Sequence, residues 1–176
     1  YRESVFKRAL KDQYLITSVT FKLSKTPNFQ TTYGAIQQEL EKMGVNELSI
    51  KAVSQAVINI RSSKLPNPKE IGNAGSFFKN PVVSQQIADA LKANYPDAPV
   101  YPVADGCKLA AGWLIEKAGW KGKTIDHKYG VHKLQALVLV NYGGASGNQV
   151  FQLSEDILQD VKQKFGVALE REVNII

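Results

Sequence analysis

The chain has 176 residues, 44% of them hydrophobic and 22% charged, a balance that fits an ordinary globular protein and excludes a disordered or fibrous one. Lys and Arg number 22 against 16 Asp and Glu, a net charge of +6, yet the cations are scattered. The densest spots, Lys7-Arg8 and Lys121-Gly122-Lys123, lack an interleaved aromatic platform, and apolar runs such as 109–115 are too short to cross a bilayer, so neither a nucleic-acid nor a membrane partner is expected.

Residues 14–24 alternate as a strand, with Val19, Phe21 and Leu23 on one face and Thr20 and Lys22 on the other. Thr26-Pro27-Asn28 ends it. A helix is predicted over 34–43, and another after Ser49, a suitable N-cap, with Ile50, Val53, Val57 and Ile60 as a buried stripe. Leu65-Pro66-Asn67-Pro68 forbids a continuing helix and marks a domain boundary. Beyond it come the glycine-rich stretch 72–81, a helix after Ser84 carrying Ile87, Ala88 and Leu91, and an irregular segment from Tyr95 to Gly106. Residues 109–118 read as a helix closed by Gly119, 136–140 as a buried strand, and 143–147 as a turn. Val150, Leu153, Ile157 and Val161 define a long amphipathic helix ending near Gly166. A last strand alternates Val167, Leu169, Val173 and Ile175 against Ala168, Glu170, Glu172 and Asn174. Helices mixed with strands, without a repeat, give an α+β fold.

Chemistry concentrates at Gly72-Asn73-Ala74-Gly75-Ser76-Phe77-Phe78-Lys79-Asn80-Pro81. Glycines there let the backbone turn tightly and approach a ligand, and Ser76 stands at the tip ahead of two aromatics. A hydroxyl so held can pass one proton to a bound molecule, although an isolated G-x-x-G-S would also serve as a plain tight turn. His127 and His132 have no partners at metal-ligand spacing, so no metal site is expected, and His132 is assigned to a loop or the surface. Cys107, the single cysteine, excludes an internal disulfide and fits a reducing, cytoplasmic setting. No signal-peptide pattern is seen, and a start at Tyr1 leaves room for residues upstream.

Residues 72–81 resemble the signature of UDP-N-acetylenolpyruvoylglucosamine reductases (UDP-N-acetylmuramate dehydrogenases), flavoenzymes of bacterial peptidoglycan synthesis. Further matches follow in order: Tyr1-Arg2-Glu3-Ser4-Val5-Phe6-Lys7, Thr32-Tyr33-Gly34, Arg61-Ser62-Ser63-Lys64-Leu65-Pro66, residues 108–115, Gln135-Ala136-Leu137-Val138-Leu139, and Leu169-Glu170-Arg171-Glu172-Val173. The similarity spans the chain but only the C-terminal half of the enzyme, in its type I form. It implies that NADPH reduces FAD, and that hydride then passes to the enolpyruvyl group of a UDP-sugar. Negative charge left beside the substrate carboxylate must be stabilised and then protonated. The resemblance assigns Ser76 as proton donor, Arg2 to the carboxylate or enolate, and Glu172 to the far side of the double bond. Alternation alone leaves Glu170 and Glu172 equivalent; the resemblance selects Glu172.

Substrate-binding roles implied in the same way fall to Tyr33, Lys64, Asn80, Tyr101, Lys108 and Gln135. Hydroxyls and ammonium groups suit a diphosphate, and amides suit sugar or uracil edges. Tyr101 resembles the lid tyrosine of type I members, with ordinary loop packing as the alternative. The resemblance implies Gly75 as a flavin contact, with most FAD contacts in the family's N-terminal domains; the chain itself contains no G-x-G-x-x-G or P-loop fingerprint. Residues 1–65 resemble the end of the second FAD-binding domain, 66–165 a substrate-binding domain, and 166–176 a terminal strand that rejoins an N-terminal flavin domain. The expected protein is a monomer that takes a small UDP-sugar. An alternative is a UDP-sugar-binding module without redox activity, and the positive charge alone would support a weaker nucleic-acid-binding reading.

Overall fold

The computed structural model describes residues 4–32 and 34–175. The chain divides into two compact units, Tyr1–Val53 and Ser54–Ile176. In the first, a single 3-10 turn, Val5–Lys7, precedes the helix α1 (Ile36–Lys42), which buries Leu40. The expected strand over 14–24 is not formed. Those residues carry no regular secondary structure and pair with no other strand among the described residues, and Leu15, Phe21 and Leu23 are 88%, 77% and 82% exposed. Alternation supplies a face; only a neighbouring strand can take up the backbone N–H and C=O groups.

The helix α2 (Ile50–Lys64) begins where Ser49 Oγ accepts the Ala52 N–H at 3.1 Å, as its N-cap role requires. Ala56 is its fully buried residue; Val53, Val57 and Ile60 are half-buried, and Ile50, at the exposed first turn, is outside the predicted core stripe. The boundary between the compact units falls early in this helix, at 53/54, whereas the proline break at 66–68 ends it.

The second unit holds two antiparallel sheets. Strands β1 (Gly72–Ser76), β5 (Thr124–Ile125), β6 (Tyr129–Val131) and β7 (Val138–Asn141) form one, in the order β1-β7-β6-β5. Strands β2 (Val82–Val83), β3 (Val100–Val103) and β4 (Gly106–Leu109) form the other, in the order β2-β4-β3. The supposedly irregular segment at 95–106 is therefore half of a hairpin turning at Ala104-Asp105. Gly106 makes that hairpin possible: at φ 137°, a Cβ there would stand 2.4 Å from the Val83 carbonyl oxygen. The β5–β6 hairpin escaped sequence reading because Asp126 and His127, rather than glycine, take the left-handed conformations of its turn.

Helices α3 (Gln85–Asn94), α4 (Ala111–Lys117) and α5 (Gly147–Phe165) pack with these sheets. Leu109 belongs to β4 rather than to the helix, so α4 is shorter than its predicted span. On α5, Leu153, Ile157 and Val161 are buried as their spacing requires, together with Phe77, Phe78, Leu114, Ile115, Val131 and Leu139. Trp120 Nε1 donates to Asp160 at 2.8 Å and Lys164 Nζ to the Ala118 carbonyl at 2.7 Å, which ties the end of α4 to α5. The expected terminal strand is reduced to one isolated bridge, Phe78 with Arg171. Val167 and Leu169 are nevertheless buried in the core, while Ala168 and Glu170 face out, so the predicted alternation holds over 167–170; beyond it Ile175 is 55% exposed and Glu172 is half-buried like Val173.

Helix α5 starts with a complete capping box: Ser146 Oγ accepts the Gln149 N–H, and the Gln149 side chain accepts the Ser146 N–H. Ser146→Ala should lower the unfolding free energy by about 1 kcal/mol, measured by urea denaturation with an unchanged slope. An unaltered midpoint would show that the packing of α5 makes the cap redundant.

Candidate functional site

Between Asn73 and Ser76 the register of β1 on β7 slips: Asn73 faces Val140 and Ser76 faces Val138, so one extra residue is accommodated on β1. Asn73 supports this bulge, accepting the Gly75 N–H at 3.1 Å and donating to the Ile71 carbonyl at 2.9 Å. Gly75 takes φ 72°, and nothing lies within 4 Å of where its Cβ would stand. The bulge leaves Ala74, Gly75 and Ser76 exposed in succession, whereas Phe77 and Phe78 plunge into the core. Ser76 is thus an accessible hydroxyl on a firmly anchored backbone.

The far end of the sequence is brought to the same place. Glu172 N–H donates to the Phe77 carbonyl at 2.9 Å, and Lys79 N–H to the Glu170 carbonyl at 2.8 Å. Glu172 therefore sits across from the residue that follows Ser76, and its side chain is half-buried. Glu170 is 73% exposed and ion-paired with Lys79, which separates the two carboxylates that alternation left equivalent. Arg2 and Tyr33 lie outside the described residues.

A second group of candidate residues surrounds the start of α4. Asn80 Oδ1 accepts the Ala111 N–H at 3.0 Å. Lys108, on the central strand of its sheet, stands opposite both Val82 and Tyr101, so Tyr101 and Lys108 share a sheet face. Tyr101 is on a strand, not in an irregular lid, and is 53% exposed. Lys64 and Gln135 line a separate cavity of about 400 Å³ with Gly112, Trp113, Glu116 and Lys121. Gln135 Oε1 also accepts the Leu137 N–H at 3.3 Å, which fixes the amide's orientation. Gly75 lines a cleft of about 780 Å³ together with Arg61, Ile71, Asn73 and Val138. The arrangement offers a hydroxyl and a carboxyl group on adjoining backbones, and cations and amides around a nearby helix start.

Other sequence candidates fall elsewhere. Among the described residues, no group of three or more His, Cys, Asp or Glu side chains could hold a metal, and no helix is long and apolar enough to cross a membrane. The Cys107 thiol is buried and donates to Gln85 Oε1 at 3.1 Å. Sequence reading gave no role to Arg171, whose charge alone carries no signal of the helix contacts it makes.

The fold is α+β, and the candidate residues it describes gather at the β1 bulge and around the start of α4. Residues 67–176 match the family described as UDP-N-acetylenolpyruvoylglucosamine reductase, C-terminal domain. The chain is 56% identical over 177 aligned residues to the protein of that name from Amoebophilus asiaticus, covering 100% of this chain and 52% of the relative. It is 51% identical to the Pseudomonas putida protein of the same name, covering 99% and 51%, and 49% identical to that of Flavobacterium johnsoniae, covering 100% and 52%. The chain belongs to the UDP-N-acetylenolpyruvoylglucosamine reductase family and spans about half the length of these curated relatives.

His132 lies in the loop between β6 and β7, as one of its two expected positions had it, but it is not at the surface. It is 5% exposed, and its Nδ1 has no hydrogen-bond partner among the described residues. Burial, then the neighbouring Lys133 charge, holds its pKa below the ordinary 6.5. The unfolded chain takes up this proton near pH 6.5 while the folded chain resists it, so acidification favours unfolding. Stability should therefore decline as the pH falls below about 6.5, and His132→Gln should flatten that dependence in denaturation curves. A parallel decline in both proteins would assign the acid sensitivity to other groups.

Proposed function

We propose that this chain is the C-terminal portion of an FAD- and NADPH-dependent reductase that converts UDP-N-acetylglucosamine enolpyruvate to UDP-N-acetylmuramate for peptidoglycan. The observation that supports it most is the joining of Ser76 and Glu172 through the backbone of Phe77. In this reading residues 1–65 complete a flavin-binding domain and 66–165 bind substrate, while the terminal segment also contacts the N-terminal domain. The unpaired, exposed apolar residues at 14–23 fit an edge that awaits further strands. The working location is the cytoplasm and the working state a monomer.

The Gly75 edge fits a flat ring system: its backbone is open, and the cleft beside it carries the Arg61 cation and the apolar Ile71. A flavin bound there would supply hydride, with NADPH as the electron source. The chain's own residues manage the charge that results. Hydride addition at the terminal carbon of the vinyl ether leaves negative charge on the carbon beside the carboxylate. The Ser76 hydroxyl gives its proton to that carbon, on a backbone fixed by the two buried phenylalanines. Glu172 acts from the other side as acid or hydrogen-bond donor to the enolate, and Arg2 would hold the carboxylate with paired N–H groups. Lys64, Lys108, Tyr33 and Tyr101 are assigned to the diphosphate, and Asn80 and Gln135 to sugar or uracil edges. The Asn80 oxygen is already shared with the Ala111 N–H, so its amide N–H₂ is the group left to offer a ligand.

In the complete enzyme, Ser76→Ala should leave flavin reduction by NADPH intact and slow flavin reoxidation by the enolpyruvyl substrate by about 100-fold or more. Stopped-flow absorbance resolves the two half-reactions; equal slowing of both would make Ser76 a structural residue.

A second reading, a UDP-sugar-binding module without redox activity, is favoured by the placement of the Lys64–Gln135 cavity wholly within the second unit. The chain by itself should bind the UDP-sugar in a calorimetric titration while retaining little yellow flavin through purification. Stoichiometric flavin would discard the module reading, and steeply salt-dependent DNA binding without sugar binding would discard both.

A further inference from the structure

Arg171 lies between the exposed Glu170 and the half-buried Glu172, and its guanidinium is committed to one turn of α5. Its Nε donates to Ser154 Oγ at 2.8 Å, Nη2 is ion-paired with Glu155, and its Cζ stands 4.6 Å from the Phe151 ring centroid. Ser154 is wholly buried and donates its own hydroxyl hydrogen to the Phe151 carbonyl at 2.6 Å. The serine oxygen is therefore oriented to accept from the arginine. A planar fork with fixed N–H directions, clamped on an edge, an end and a face, fixes position far more tightly than an apolar contact. Beyond this clamp, the segment carrying Glu172 meets the chain after Ser76 in one bridge, Phe78 with Arg171, made by two backbone hydrogen bonds, and in the Lys79–Glu170 ion pair.

We propose that Arg171 is a positioning residue for Glu172: its three contacts with Phe151, Ser154 and Glu155 of α5 set where the Glu172 carboxyl group stands relative to Ser76. The inference rests on the reading that Glu172 acts on the reacting group. An error of about 1 Å in such a group can cost about 100-fold in rate; burial of Val167 and Leu169 holds the segment in the core, and the arginine fork adds the directional constraint at 171 that sets its neighbour Glu172.

The test compares Arg171→Leu, Glu172→Gln and the double variant in the complete enzyme, with both half-reactions followed separately. Hydrogen exchange of the Glu172 amide provides a readout independent of turnover. Arg171→Leu should slow flavin reoxidation by substrate by about 100-fold, leave flavin reduction by NADPH unchanged, and speed exchange of the Glu172 amide. The double variant should be no slower than Glu172→Gln alone, because a residue that acts only through Glu172 has nothing left to position. Arg171→Lys, which keeps the charge but not the fork, should recover only part of the rate. Multiplying penalties in the double variant, or a wild-type rate for Arg171→Leu beside a slow Glu172→Gln, overturns the inference and leaves the role of Glu172 standing. A wild-type rate for Glu172→Gln overturns both. Should Arg171→Leu fail to fold, Ser154→Ala removes the Nε acceptor at almost constant volume and is judged by the same outcomes.

Discussion

The pairing of residues 77–79 with 170–172 closes a loop whose ends, Lys79 and Glu170, are 91 residues apart in sequence. Two backbone hydrogen bonds are too few to hold that closure against chain entropy unless both segments are already fixed by burial. They are fixed in that way. Phe77 and Phe78 are 5% and 1% exposed, and Val167 and Leu169 enter the same core from the other side. Hydrophobic burial thus carries the cost of bringing the ends together, and the hydrogen bonds set the register. Register matters more here than strength, since a slip by one residue would exchange Glu172 for Arg171 or Val173 opposite Phe77.

Placing a hydroxyl on a bulge next to buried aromatics reconciles two demands that ordinarily conflict. A hydroxyl that is to give up a proton, as proposed for Ser76, has to be reachable from solvent, yet its backbone has to be still. At Ser76 the bulge supplied by Gly75 and braced by Asn73 provides access, and the next two residues provide the anchor. A regular strand would have alternated exposed and buried positions and could not have given three exposed residues followed by two buried ones.

The parts of this architecture legible in sequence are those set by local chemistry. Ser49, Ser84 and Ser146 begin helices, and Ser49 and Ser84 were read as such from their neighbours. The apolar spacing of α5 gave its buried face, and the prolines at 66 and 68 gave the end of α2. What failed depended on partners distant in the chain. Residues 14–24 have a strand's pattern without a strand's neighbour, and the hairpins β3–β4 and β5–β6 hid behind prolines and a glycine-free turn. For the site, the glycine-rich stretch marked Ser76 and the family resemblance chose Glu172 over Glu170, but only the fold joins them through Phe77. His132 shows the limit from the other direction: its surroundings, not its identity, make it a buried and reluctant base.

The same reasoning explains why an arginine, rather than another hydrophobic residue, suits position 171. An apolar side chain there would bury surface but could slide along α5, because dispersion contacts have little directional preference. Nε toward Ser154, Nη2 toward Glu155 and the guanidinium face on Phe151 admit one orientation. Glu155 also balances the charge, so that the clamp does not leave an uncompensated cation in a partly buried setting. Directional contacts on one side of the backbone thus complement nondirectional burial on the other, and Glu172 stands where both constraints meet.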